Sequence, residues 1–511
     1  MSLKEKLLIL IFGLVFFVSA VIRFEQTKNG QFPFTYDQAR DMLDIRVLGE
    51  FKDLWVMGPT TSINGLRLGP FYYYLMLPAY WFGGGDPQAL VNWNTILFLI
   101  SGLTIFLYFQ KKDIVLGTII ATIYLMAPRL FDTTRYFWNA NSAVYLSVYY
   151  FLALFYFLEK KNKKAVFWLA TTASMVLQFE AAWGIVLLIF SGMILILNKK
   201  MKYWGQFVLG ALPWFLPQIF LEIKNKFLMS KLLLGIFNGS NEVLKDKLRW
   251  PEIIPIHFKS MISCWEGQFN LPLFGGLILI ILTIIGFIFF KKYKRENKYL
   301  WGLWLFGLVF YSLIYHYPLK AWYLEGLRVW MAFVVGIFLR NVMSLKKIWV
   351  LVIILFLGRS ILMTMVDQKQ YLQGQGGDDP KNMANLKKNI DWIYEKSGGE
   401  AFKAMNFVPE IFDLPQQYLY WWYGAKKYGY RPKKVSYSLT EVPEYIPKQG
   451  LFSGKEKSSD KEILALTYEI RYVYYEWLKQ FKNYCVVHEW ETEWKTKLEI
   501  REKCPLGKIA P

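Results

Sequence analysis

Long apolar runs constrain this chain more than any motif does. Segments near residues 7–22, 88–109, 114–127, 141–158, 165–178, 183–198, 204–222, 272–290, 299–315, 321–340 and 348–365 are dominated by Leu, Ile, Val, Phe and Trp. Runs approaching the ~20 residues needed to cross a bilayer read as transmembrane helices. The chain is 54% hydrophobic, so the runs are not diluted elsewhere. Its net charge of +21 would suggest nucleic acid in a soluble protein. Here Lys and Arg fall between apolar runs, where they orient spans instead, and no nucleic-acid partner is expected.

The basic loops set a topology. K111-K112, E159-K-K-N-K-K164, K199-K-M-K202, K291-K-Y-K-R295 and R340 through K347 are short and positive, as is the N-terminus. The positive-inside rule places them all in the cytoplasm. G69-P-F-Y-Y-Y-L-M-L-P-A-Y-W-F-G83 is apolar, but it is short and rich in Tyr, Trp and Pro, and a crossing there would reverse every later loop. It is expected to lie on the outer membrane surface. Residues 1–22 look superficially like a signal peptide, with Lys4, Lys6 and V18-S-A20, but are expected to stay as an anchor because many spans follow. The expectation is an all-α polytopic membrane protein of about eleven spans in a plasma (inner) membrane. The N-terminus is inside, and residues 23–87, 128–140, 178–182, 223–271 and 316–320 are outside.

Residues 366–511 read as a separate extracytoplasmic domain following the membrane domain 1–365. The turn cluster G374-Q-G-G-D-D-P380 leads into it. Helices are expected over 382–396, 415–428 and 470–481, and strands over 401–408, 435–439, 485–488 and 495–501, giving a small α+β or α/β domain. Cys485 and Cys504 lie on the outer side, where they can pair or stay free. The three cysteines and three histidines show no metal-ligand spacing, so no metal site is expected.

Polar residues gather in the outer loops. Thr35 and Gln38 form a T-x-x-Q capping box, so a helix should start near Asp37. Asp37, Asp41 and Asp44 then fall at i, i+4 and i+7 on one face. Acids there favour a helix's first turn, and they can also bind a cation or act as bases. A127-P-R-L-F-D-T-T-R-Y-F-W-N-A-N141 packs Arg129, Asp132, Arg135, Trp138, Asn139 and Asn141 into one loop. Arginine forks suit phosphate and asparagine amides suit sugar hydroxyls; interfacial anchoring is the alternative. Gln178 and Glu180 occupy a turn between two spans, where a buried acid is costly. H316-Y-P-L-K-A-W-Y-L-E-G-L-R328 adds His316, Lys320, Tyr323, Glu325 and Arg328; the last two stand i, i+3 and can pair with each other or face a ligand. Arg359, inside the last run, is expected to pair or snorkel.

Taken in order, Y36-D37-Q-A-R-D41, G69-P-F-Y-Y-Y-L, R135-Y-F-W-N-A-N141, L177-Q-F-E180 and Y317…Y323 resemble the GT-C superfamily of integral-membrane glycosyltransferases. The branch is that of protein O-mannosyltransferase and the lipid A aminoarabinose transferase, and the resemblance spans roughly 7–365. It implies a polyprenyl-phosphate-sugar donor, transfer with inversion on the outer face to a lipid, glycan or protein acceptor, and no cofactor. By resemblance Asp37 is the base, Asp132 the second outer acid and Tyr323 the late aromatic. Arg67, Arg135 and Arg328 are the candidates to hold the phosphate, and Asp41, Trp138, Asn139, Asn141, Gln178, Glu180 and His316 complete the expected substrate-binding set. A polytopic lipid or polysaccharide transporter is the competing class. Transporters place charges near the midplane of inverted repeats, whereas here the polar clusters gather at one face and no repeat is visible.

Overall fold

The computed structural model describes residues 2–51, 57–61, 66–237, 248–271, 274–345, 348–370, 379–407, 413–436, 462–470 and 475–505. Residues 374–378 of the expected turn cluster, 408 and 437–439 of expected strands and 471–474 of an expected helix fall outside them. The chain divides into two units: Met1–Phe24, Trp55–Leu75 and Trp93–Asp367, and Glu25–Leu54, Met76–Asn92 and Gln368–Pro511.

The helices in chain order begin with α1 (Leu3–Thr27), α2 (Tyr36–Phe51), α3 (Phe71–Gly83) and α4 (Pro87–Met126). They continue with α5 (Pro128–Arg135), α6 (Asn139–Lys160), α7 (Lys163–Phe179), α8 (Ala181–Leu197), α9 (Trp204–Lys224), α10 (Leu228–Phe237) and α11 (Trp250–Phe269). Last in this series are α12 (Gly275–Phe289), α13 (Lys294–Ile314), α14 (Leu327–Val342) and α15 (Ile348–Gln370). The stretches Leu3–Gly30, Pro87–Met126, Asn139–Lys160 and Met201–Lys224 are long and apolar enough to cross a membrane; Ala181–Leu197 and Gly275–Phe289 are shorter apolar helices.

Each boundary in the first unit has a local cause. Asn162 caps α7 by accepting the Ala165 N–H. α4 breaks at Asp113 (φ −155°, ψ 86°), between the two apolar runs read from the sequence. The Asp113 carboxylate is half-buried and gathers Lys292 Nζ (2.7 Å), Tyr293 Oη (2.9 Å) and Arg340 Nε (2.9 Å). Burial alone would raise its pKa; the hydrogen bonds from Lys292, Arg340 and the Leu116 N–H outweigh that and hold it at about 2. Trp265 of α11, Trp301 and Trp304 of α13, and Trp330 of α14 pack ring against ring in the helical body. α11 lies in a stretch expected to be an outer loop, yet its His257, Trp265 and Gln268 are fully buried. Arg359 donates to the Asn270 carbonyl (2.9 Å).

The second unit holds α2 and a mixed α/β domain: α16 (Met383–Lys396), β1 (Phe402–Phe407), α17 (Leu414–Leu419), a π turn (Tyr420–Gly424), α18 (Ala425–Tyr428), β2 (Lys434–Ser436), β3 (Ile463–Glu469), α19 (Tyr475–Lys479), β4 (Tyr484–Glu491) and β5 (Thr496–Lys503). The sheet order is β2-β1-β3-β5-β4. β1 runs parallel to β2 and β3; β3–β5 and β4–β5 are antiparallel. The central β3, I-L-A-L-T-Y-E, is buried along its whole length, so it lacks the alternation that marks a half-buried strand. Met405, Phe407, Leu464, Leu466, Tyr468, Trp477 and Phe481 form one core. A Cys485–Cys504 disulfide ties β4 to the end of β5.

Candidate active site

In the second unit the capping residues open α2. The Thr35 N–H donates to Gln38 Oε1 (3.0 Å), satisfying a backbone donor the helix would otherwise strand. Asp37 is half-buried, while Asp41 and Asp44 are buried. Arg40 lies between the first two acids: its Nη1 donates to Asp37 Oδ1 (2.9 Å), and its Nε and Nη2 both donate to Asp41 Oδ1 (3.0 and 2.7 Å). Asp41 Oδ2 is buried without a hydrogen-bond partner. Burial pushes the Asp41 pKa up to about 7 against the pull of Arg40, with Asp37 and Asp44 adding to the rise. One guanidinium thus serves two carboxylates, and the better-solvated of the two is Asp37. Among the described residues, no group of three His, Cys, Asp or Glu is arranged to hold a metal ion.

The first unit carries a row of alternating charges. Arg328 grips Glu325 through Nε (2.8 Å) and Nη2 (3.3 Å), and both side chains are 5% exposed. Arg129 reaches the same Glu325 (3.9 Å) and also Asp132 (3.0 Å). Arg135 pairs with Asp132 in turn. Arg328 Nη1 is buried without a hydrogen-bond partner. The row arises because α5 places Arg129, Asp132 and Arg135 at i, i+3 and i+6, while the turn before α14 sets Glu325 three residues from Arg328. Glu180 lies in the turn between α7 and α8 and caps α8 by accepting the Ala182 N–H (3.2 Å). Burial raises its pKa to about 8; the Ala182 N–H opposes that and Glu325 adds to it.

The remaining candidates have local roles. Asn139 donates to the Phe179 carbonyl at the end of α7 (2.8 Å) and Asn141 to the Tyr136 carbonyl of its own loop (2.7 Å), which spends one amide arm of each. Gln178 donates to the Trp214 carbonyl (2.6 Å) and packs so tightly on Gly69 that a side chain there would collide with it. Arg67 makes a long contact with the Gly58 carbonyl (3.4 Å). Trp138 meets Trp322, whose neighbour Tyr323 meets Tyr315, in edge-on ring contacts near 6 Å. His316 stacks edge-on against Trp250 (4.7 Å). Two residues that organise these clusters, Arg40 and Arg129, were not in the expected substrate-binding set, although Arg129 was noted in its loop. Arg40 was legible as i+3 from Asp37; Arg129 was legible as i−3 from Asp132, but its reach to Glu325 was not.

No family model matches the sequence, and no curated protein does. Solved structures do. ArnT from Cupriavidus metallidurans in the apo state is 10% identical, with a TM-score of 0.58 over 98% of this chain and 98% of that one. ArnT from the same organism bound to undecaprenyl phosphate is 10% identical, with a TM-score of 0.55 over 97% of each. The chain therefore has the fold of ArnT over nearly its whole length, whereas the ordered motifs led us to expect a related fold over residues 7–365.

Proposed function

We propose that this chain is a membrane glycosyltransferase that moves a sugar from a polyprenyl-phosphate-linked donor to an acceptor hydroxyl on the outer face of the plasma (inner) membrane, with inversion. The observation that carries the reading is the end-to-end fold match to a protein bound to undecaprenyl phosphate. The acceptor is a lipid, glycan or protein.

The chemistry asks for a base and an anion clamp. The acceptor oxygen attacks the anomeric carbon, the carbon–oxygen bond to phosphate breaks, and the acceptor proton goes to Asp37. Arg40 holds the Asp37 carboxylate by a hydrogen bond to Oδ1 (2.9 Å), and in this scheme Oδ2 faces the acceptor hydroxyl. The departing phosphate gains charge, and the guanidinium groups of Arg129, Arg135 and Arg328, gathered in one row, suit it. Tyr323, Trp138 and His316 supply aromatic surface for the sugar, and neither metal nor cofactor enters the scheme.

The eleven-span topology belongs to the same proposal. It is supported by Asp113, which joins basic residues of two expected inner loops through Lys292 and Arg340, and by Lys112, which pairs with Glu159 of a third. A cysteine at exposed Lys396 should react with an impermeant thiol reagent from outside, and one at exposed Lys163 should not; the reverse pattern overturns the orientation. The function is tested in proteoliposomes given labelled polyprenyl-phosphate-sugar and acceptor with no ion gradient. Transfer of the label to acceptor supports the enzyme. Movement of lipid or sugar across the bilayer with every glycosidic bond intact, and no transfer across a panel of donors, makes the chain a carrier.

A further inference from the structure

The second unit contains a clamp on the acid-bearing helix. Just before α2, the chain pairs with the start of the C-terminal domain: Phe34 N–H donates to the Lys381 carbonyl (2.8 Å), Met383 N–H donates to the Phe32 carbonyl (3.0 Å), and Pro33 bridges Asn382. At the other end, Arg46 is fully buried. Its Nε donates to Glu50 Oε2 (2.9 Å), and Tyr80 Oη donates to Glu50 Oε1 (2.6 Å). Arg46 Nη1 and Nη2 have no hydrogen-bond partner; the guanidinium carbon instead sits 3.0 Å from the ring centre of Trp421. A desolvated guanidinium is held strongly over an indole face.

Trp421 belongs to the π turn Tyr420–Gly424, a rare geometry concentrated at functional positions. The widened turn lets consecutive tryptophans serve different partners. Trp421 takes Arg46, while Trp422 Nε1 donates to the Gly84 carbonyl (2.9 Å). One turn earlier, Tyr418 Oη donates to the Gly85 carbonyl (2.6 Å). Gly85 has φ +81°, and a side chain there would press on both Trp422 and Tyr418. A single short stretch of the C-terminal domain thereby grips α2 and the turn between α3 and α4.

We propose that the C-terminal domain positions the base: the Trp421–Arg46 contact fixes the rotation and height of α2 and hence the placement of Asp37. The proposal rests on the reading of Asp37 as general base. Trp421 and Arg46 are positioning residues, touching no reacting atom. Misplacing a catalytic group by about 1 Å costs on the order of 10²-fold in rate, which sets the scale.

The test compares the full-length wild type with Trp421→Ala, Trp421→Phe and Arg46→Lys in detergent, by hydrogen–deuterium exchange over residues 36–51 and by steady-state transfer. Trp421→Ala is expected to raise exchange across α2 about 10-fold or more and to lower kcat about 10- to 100-fold. Donor KM should stay within about twofold, and Trp421→Phe should recover part of both effects. Unchanged exchange in α2 overturns the clamp. Raised exchange with normal kcat overturns its link to the base, as does a loss that Trp421→Phe fails to relieve. If Trp421→Ala does not fold, Trp421→Phe and Arg46→Lys decide by the same criteria. A wild type that transfers no sugar from any donor refutes the proposed function, while the exchange measurement still decides the clamp.

Discussion

The two units treat their ionisable groups in opposite ways. On α2, two carboxylates, Asp37 and Asp41, share one guanidinium, Arg40. In the first unit, three guanidinium groups, Arg129, Arg135 and Arg328, share two carboxylates, Asp132 and Glu325. An acid-rich cluster with one partly solvated carboxylate suits taking a proton; a guanidinium-rich row suits holding an anion. Burial sharpens the contrast. It pushes both Asp41 and Glu180 towards neutrality, while Asp37 is the most exposed of the three acids on α2.

The contrast breaks first at Asp37. Asp37→Asn should lower turnover by about 10²- to 10⁴-fold with donor affinity retained, because the proton acceptor is lost and the shape is kept. Asp41→Asn should lower it by less than about 10-fold. Equal losses in the two variants would erase the distinction between them. The next largest effect falls on the first unit's stability. Arg328→Ala strands the buried Glu325 and should cost about 3–5 kcal/mol in reversible unfolding, whereas Glu325→Gln with Arg328→Met together should cost far less. Arg135 is the probe of the anion clamp: Arg135→Ala should raise the donor KM about 10- to 100-fold, the worth of one charge-assisted hydrogen bond, with little change in melting temperature.

The smallest effect is a pH dependence. Asp41 has a folded pKa raised to about 7 from an unfolded value near 3.8. Its contribution to stability is fully present below about pH 3.8 and is lost as pH rises through about 7, because the folded state holds the proton more tightly. The melting temperature of the wild type should therefore fall relative to Asp41→Asn between pH 4 and pH 8. Parallel curves would show that Asp41 is not desolvated as described.

Much of this architecture could be read from the chain. The apolar runs mark the long helices, and even the break at Asp113 falls between two of them. Thr35 and Gln38 announce the start of α2, and the strand-like segments 485–488 and 495–501 announce β4 and β5. Three things could not be read. β3 is buried on both faces, so its run of Ile463 to Glu469 carries no period-two signal. α11 falls in a stretch whose lysines and prolines look like loop, and only tertiary packing buries His257 and Trp265. The contact of Arg46 with Trp421 joins residues from opposite ends of the chain, and local spacing holds no information about such a pair. The candidate site followed the same rule: pairs three residues apart were legible, while the link from Arg129 to Glu325 needed the fold.

The most direct test of the central claim is a single-turnover reaction of purified protein in detergent with a labelled polyprenyl-phosphate-sugar and acceptor, with chelator present and no gradient. The account predicts one polyprenyl phosphate released per glycosylated acceptor, with the anomeric configuration inverted, and loss of that burst in Asp37→Asn. Retained configuration, or a burst of equal size and rate in Asp37→Asn, would contradict it.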